Sequence, residues 1–230
     1  MKEEMLIKLS WAVYKKAMIE NMPLLTDENP KTVYKNARKI FRTELKQIDE
    51  YGPCDVLKTN LTYGVMIYSI YASCNTKPDV SALSRFCRNV VLTPKLARNM
   101  LAKVDVTSEK NIGHQLEVAK KSRNATHPFT WQYEITETGN KRFTAEFSRC
   151  GIYDYFSSKG LIELVPALCM MDFAYCDIQS HIFLRKQSIA TGGKICDCTY
   201  ISKNVATKEE IQEYRNDMKN EAAHGGIDVG

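Results

Sequence analysis

The 230-residue sequence predicts an α+β fold: a helical N-terminal part, then a ββααββ order building a four-stranded antiparallel sheet packed with helices. Three observations predict it. Up to about residue 125 the apolar residues recur at the three-to-four-residue spacing of a helix face. From Phe129 onward the spacing drops to two, as in half-buried strands. Between two pairs of strand-like runs, Gly160 and Pro166 punctuate two helical segments. The predicted organisation is a helical part over 1–125, a sheet region with the candidate site over 126–205, and a C-terminal helix with a loose tail over 206–230. All three belong to one integrated domain.

Leu6, Leu9, Val13 and Ala17 mark one apolar face of a first helix over 6–20. Asp27-Glu28-Asn29-Pro30 makes a turn, and Pro30 suits the first position of a second helix reaching Ile48. A third helix covers 61–73, and Asn75-Thr76-Lys77-Pro78 breaks the chain before a shorter one over 81–90. Thr93-Pro94 starts another helix ending near Lys103, and Ser108 caps one reaching Arg123.

Phe129, Trp131, Tyr133 and Ile135 alternate with polar residues, as do Phe143, Ala145 and Phe147. A two-residue turn at Gly139-Asn140 pairs Ile135 with Thr144 and sets the two apolar series on opposite faces. One extra loop residue, or one bulge, pairs Tyr133 with Phe147 and unites Trp131, Tyr133, Ile135, Ala145 and Phe147 on one buried face. The longer loop is the expected device. Gly151 to Lys159 reads as a helix stopped by Gly160, and Pro166 opens the next one, which runs to Gln179. A second hairpin joins 181–190 to 194–201 through a two-residue turn at Gly192-Gly193. It pairs Ile189 with Cys196, Gln187 with Cys198 and Arg185 with Tyr200.

Composition narrows the function classes. With 44% hydrophobic and 26% charged residues, the chain has the balance of an ordinary globular protein. Its longest apolar run, Leu61 to Cys74, is interrupted by polar residues and too short to span a bilayer, so it reads as a buried core helix. Met1 to Met5 lacks the apolar stretch and cleavage site of a signal peptide, so the expected location is cytoplasmic. The net charge of +5 is modest, and the cluster Lys120, Lys121, Arg123 reads as the solvated end of a helix. The expected partner is therefore a small-molecule substrate, with neither nucleic acid nor membrane; a homo-oligomer stays open. Eight cysteines without an export signal predict free thiols. Cys54, Cys74 and Cys87 read as small buried hydrophobes.

The chemistry concentrates between Cys150 and Tyr200. On the helix after Pro166, Cys169, Asp172, Cys176 and Gln179 stand at i, i+3, i+7 and i+10 and share a face. Either Asp172 caps a neighbouring loop beside two inert thiols, or this polar stripe is the wall of a pocket, since it is costly to bury unpartnered. The second hairpin places Arg185, Gln187, Cys196 and Cys198 on one face. Arg185 suits a substrate carboxylate, its planar fork meeting both oxygens, or equally a salt bridge to Asp172 or Glu163. Asp197 alternates to the other face, beside Ser188. Cys150, Cys169, Asp172 and Cys196 are the best metal-ligand set, but they lack the paired Cys-x2–4-Cys spacing of structural zinc, and no histidine pair supports them. No metal and no cofactor are expected.

The order of these pieces resembles the L-2-amino-thiazoline-4-carboxylic acid hydrolase family. Cys150 follows a strand, Cys169-Met170-Met171-Asp172 supplies a Cys-x-x-Asp helix, and Gly193-Lys194-Ile195-Cys196-Asp197 closes as a Gly-x-x-Cys-Asp strand. The resemblance implies a hydrolase of non-peptide carbon–nitrogen bonds that opens a small cyclic amidine or thiazoline carboxylate. Within that reaction, residue chemistry makes Cys196 and Cys169 candidate nucleophiles, Asp172 the acid–base, and Arg185, with Gln187 and Ser188, the substrate contacts. Cys198 stands where the family often has an aromatic residue, and Ser188 where it often has threonine. The competing expectation is a non-enzymatic small-molecule-binding or regulatory domain, as in vinyl-reductase-like sensor modules.

Overall fold

Side-chain caps set the starts of four α-helices among the described residues. In the computed structural model, which describes residues 3–226 apart from 47 and 49, helix α1 spans Glu3–Asn21 and α2 spans Pro30–Leu45. Asn29 caps α2 by accepting hydrogen bonds from the N–H groups of Lys31 and Thr32, with Pro30 at the first turn. Helix α3 (Lys58–Ser73) starts three residues earlier than its apolar run. Its entry is Leu57, held at φ 61°. Helix α4 (Val80–Leu92) is capped by Asp79, which accepts from the Ala82 N–H, rather than starting at Ser81. Helices α5 (Lys95–Leu101) and α6 (Glu109–Ser122) follow, the latter capped by Ser108 as expected. Helix α3 is the axis of the core: Leu61, Val65, Ile67 and Ile70 are all essentially inaccessible. None of the helices among the described residues is long and apolar enough to cross a membrane.

The α+β class and the four strands are as the sequence predicts. Strands β1 (Gln132–Gly139), β2 (Arg142–Arg149), β3 (His181–Leu184) and β4 (Cys196–Ser202) form one antiparallel sheet in the order β1-β2-β4-β3. Tyr133 pairs with Phe147 and Ile135 with Ala145, and the Tyr133 and Phe147 rings stack 4.6 Å apart. The device differs from the expected longer loop. Gly139 pairs with Arg142 across a two-residue turn of Asn140 and Lys141, both at positive φ, and a bulge between Ile135 and Glu137 absorbs the extra residue.

The second hairpin departs further. Phe183 pairs with Tyr200 and Leu184 with Thr199, so the register is two residues from the expected one. The shift is even, so Cys196, Cys198 and Tyr200 keep their expected common face with Arg185, while Gln187 and Ser188 fall in the connection beyond β3 and leave the expected pattern. Strand β3 ends at Leu184, and Gly192-Gly193 is no hairpin turn. Residues 185–195 instead form a long connection containing a 3-10 turn at Ile189–Thr191. The Gly193 N–H donates to the Ser188 carbonyl, and a Cβ on Gly193 would collide with that same carbonyl. The two glycines therefore wrap the chain around Ser188.

Helices α7 (Gly151–Ser158) and α8 (Val165–Ile178) lie between the strand pairs, with Gly160 at φ 70° ending the first excursion. Gly151 is required by close approach, because a Cβ there would run into the Phe129 carbonyl and the Trp131 ring. Helix α9 (Lys208–His224) begins with a capping box of Thr207 and Glu210. The expectation of a loose tail from Ala222 fails over 222–226: Ala222 is fully buried, and the Ser84 hydroxyl donates to the Gly225 carbonyl. The rest of that tail, 227–230, lies outside the described residues.

Candidate active site

One face of the sheet and the helices over it enclose a cavity of about 130 Å³. From the strands come Phe147, Cys196, Cys198 and Tyr200; Trp131, just before β1, lines the same space as Phe147. Helix α8 contributes Val165, Leu168, Cys169 and Asp172, and α7 with its preceding residue contributes Ile152 and Cys150. Leu57 and Asn60 close the remaining side from the start of α3. The walls are mostly apolar, with four thiols and one ion pair among them.

That ion pair is the electrostatic centre. Arg185 leaves the end of β3 with only 3% of its side chain exposed. Its Nη1 donates to Asp172 Oδ2 at 2.8 Å, and its Nη2 donates to the Cys169 carbonyl at 3.2 Å and meets Glu221 Oε2 at 3.2 Å. The guanidinium lies over the Phe173 and Phe183 rings, 5.5 and 5.0 Å from their centroids. Burial opposes its charge, but Cys169, Glu221 and Asp172 outweigh this and hold its pKa well above the ordinary value. Asp172 is different in exposure: 43% of its side chain remains open. Desolvation lifts its pKa above the carboxylate range; Arg185 pulls it back and Glu221 pushes it further up.

The thiols are unequal. Burial raises all four, Cys150 to about 12 and Cys169 and Cys198 well above a free thiol. The Tyr153 and Ile152 N–H groups pull Cys150 back in part and Arg185 does so for Cys198, while Cys196, raised by the same cause, is pulled back by two partners from one loop. The Ile189 N–H reaches its Sγ at 3.2 Å, and the Ser188 hydroxyl lies 3.8 Å away. Both come from the loop that Gly192 and Gly193 wrap.

Of the six site residues the sequence singles out, Cys169, Asp172, Arg185 and Cys196 converge on this cavity. Ser188 touches it only through Cys196, its hydroxyl accepting from the Ala190 N–H. Gln187 is not brought to it. That side chain is exposed and lines a separate polar cavity of about 260 Å³ between the 185–191 connection and α9, because β3 ends before reaching it. Asp197 faces away, as alternation predicts, and its Oδ1 accepts the N–H groups of Lys186 and Gln187 at 2.9 Å each. Cys176 also leaves the group: it is buried with its Sγ 3.2 Å from His181 Nε2. Among the described residues, no group of three or more His, Cys, Asp or Glu is arranged to hold a metal ion.

Sequence reasoning missed Glu221. Its carboxylate is buried against Arg185, while Asp217, one turn earlier on α9, accepts the Arg185 backbone N–H at 2.9 Å. A signal was there: Glu221 falls seven residues after Tyr214 and beside Ala222, within the buried stripe of α9, where an acid needs a partner.

Searches of curated proteins and of solved structures each returned no significant match. The model of the L-2-amino-thiazoline-4-carboxylic acid hydrolase family matches residues 82–200. That is just over half of the chain. It contains α8, β1, β2, β3, most of β4 and every cavity residue except Leu57 and Asn60, while Glu221 lies beyond it. With Cys150, the Cys169-x-x-Asp172 helix and the Cys196-Asp197 strand all inside the matched region, the chain belongs to the L-2-amino-thiazoline-4-carboxylic acid hydrolase family.

Proposed function

We propose that this protein hydrolyses a carbon–nitrogen bond of a small cyclic amidine, of the 2-aminothiazoline-4-carboxylate type. The observation that carries the reading is the convergence of Cys169, Asp172, Arg185 and Cys196 on one small cavity in a chain of this family. At about 130 Å³ the space is well below the roughly 300–1,000 Å³ of drug-sized pockets. It suits a single five-membered ring rather than a nucleotide or peptide.

In this reading the Cys196 sulfur adds to the amidine carbon while its proton passes to Asp172. Asp172 then protonates the ring nitrogen as the carbon–nitrogen bond breaks. Water next attacks the carbon held on sulfur, and the thiol regains its proton as the product leaves. Cys196 is preferred over Cys169 because the Ile189 N–H and the Ser188 hydroxyl are placed to stabilise its thiolate. Arg185, whose fork is already engaged by Asp172 and Glu221, orients Asp172 rather than clamping the substrate acid. The substrate carboxylate is left to the side where Asn60 lies exposed.

The test is turnover of 2-aminothiazoline-4-carboxylate, followed by appearance of the ring-opened product. Cys196→Ser abolishes turnover and leaves substrate binding nearly intact, because the lost interaction belongs to the transition state. Full activity in Cys196→Ser with loss only in Cys169→Ser moves the nucleophile to Cys169. One observation favours a binding domain without turnover: burial raises every thiol around the cavity. Under that reading, iodoacetamide labels no cysteine unusually fast and a bound ring acid protects none selectively.

A further inference from the structure

A groove between α1 and α2, on the helical part outside the family-matched residues, carries a charge pattern that the hydrolytic site does not use. It has a volume of about 560 Å³ and is lined by six cations, Lys15, Lys31, Lys35, Arg38, Lys39 and Arg42, with no acidic residue among the lining. All six are exposed, and none makes an ion pair among the described residues. The contrast is with Lys120 and Arg123, the cluster the sequence draws attention to, which pair with Glu117 and Glu134. Six uncompensated cations in one groove exceed the net charge of +5 of the whole chain. The acid on α2, Glu44, is turned inward to Tyr155 and Lys159.

The α2 cations stand at i, i+4, i+7, i+8 and i+11, which confines them to one stripe of the helix, away from the buried face of Val33, Tyr34, Ala37 and Phe41. At about 1.5 Å per residue the stripe is about 16 Å long, or about one cation every 4 Å. A duplex nucleic-acid strand presents one phosphate about every 3.4 Å along its axis. An extended acidic peptide presents same-face carboxylates only about every 6.6 Å, from its strand rise and its alternation. A flat membrane surface does not fill a concave groove. Base stacking is not on offer either, since Tyr34 is buried with its hydroxyl given to the Trp11 carbonyl. We propose that the α1–α2 groove binds the phosphate backbone of duplex nucleic acid by charge alone, without sequence preference. This reverses the partner expectation drawn from the modest net charge, because an average over the chain hides where the charge sits.

The test is fluorescence anisotropy of the full-length protein with a labelled duplex of arbitrary sequence across a salt series. For about four neutralised phosphates the slope of log affinity against log salt is about −3.6, so affinity falls about a hundredfold between 50 and 200 mM salt. The triple variant Lys35→Gln, Arg38→Gln, Lys39→Gln flattens the slope to about −1, and Arg42→Gln alone flattens it by about 0.9. The single variant keeps the test open if the triple variant misfolds. Parallel arms use a single-stranded oligonucleotide, a free nucleoside triphosphate, anionic phospholipid vesicles and polyglutamate. Weaker binding in all four arms supports the duplex. Absence of duplex binding at low salt, a slope unchanged in both variants, or tighter binding to vesicles or polyglutamate overturns the proposal.

Discussion

Arg185 meets two carboxylates, Asp172 and Glu221, and one positive charge cannot neutralise both. A net negative charge in a desolvated cluster is costly, so the cluster favours taking up a proton. Asp172, the member open to the cavity, has its pKa raised by burial. A carboxyl raised in this way keeps its proton to a higher pH than in the unfolded chain, so the acid form declines as pH rises through the raised value. Only the ionised form can take the Cys196 proton, so the expected activity profile has an acidic limb set by Asp172. Asp172→Asn should lower kcat by about 10²–10⁴-fold and remove that limb, measured as kcat against pH with the ring substrate. The sign is opposite for stability: the native state binds the extra proton, so the contribution of this group declines as pH rises from the ordinary carboxylate range. Asp172 was legible in the sequence because Cys169-x-x-Asp172 interrupts an apolar helix. The engagement of Arg185 was not, since a fork that can grip a substrate can equally grip a neighbour, and only tertiary packing decides between them.

Two elements, the 185–195 connection and α9, turn these residues into a site. The connection brings the Ile189 N–H and Ser188 to Cys196, and its shape depends on Gly193, where a Cβ would meet the Ser188 backbone. Gly193→Ala should slow alkylation of Cys196 and lower kcat while the circular dichroism spectrum stays that of the parent. The sequence presents Gly192-Gly193 as a hairpin turn because two glycines between apolar runs are the usual sign of one. The signal misleads here: β3 is four residues long and wholly buried, with no alternation to mark its end. Helix α9 grips Arg185 at its backbone through Asp217 and at its side chain through Glu221. Glu221 Oε1 and Arg185 Nε are both buried without a hydrogen-bond partner, so this contact is held by charge more than by geometry. Glu221→Gln removes one negative charge beside Asp172. The acidic limb of the activity profile should then move to lower pH, since Glu221 is one of the groups holding the Asp172 pKa up.

At the scale of the whole molecule, the helical part and the sheet share one continuous core: Trp131, Tyr133, Phe143 and Ala145 belong to the same buried cluster as Leu61, Val65 and Phe86. The class and the order of elements were readable because period changes from helical to alternating survive in any tertiary context. A second, smaller cluster joins α8, β3, β4 and α9, and holds Phe173, Phe183, Cys198 and Tyr214. His181 sits on this side of the protein, 2% exposed, with Cys176 Sγ at 3.2 Å and its Nδ1 unpartnered. Burial drives its pKa down to about 4, and Lys203 adds to the effect. In the unfolded chain the imidazole titrates near its ordinary value of 6.5, so between the two values the unfolded state binds more protons than the native one. Stability is then full above about pH 6.5 and is lost as pH falls toward 4, by roughly 3 kcal/mol at about 1.4 kcal/mol per pKa unit. Urea unfolding at neutral pH and near pH 4.5 measures this loss. His181→Phe, which removes both the titrating ring and the unpartnered nitrogen, should flatten the stability profile over that window. An unchanged slope in the variant would place the acid sensitivity elsewhere in the molecule.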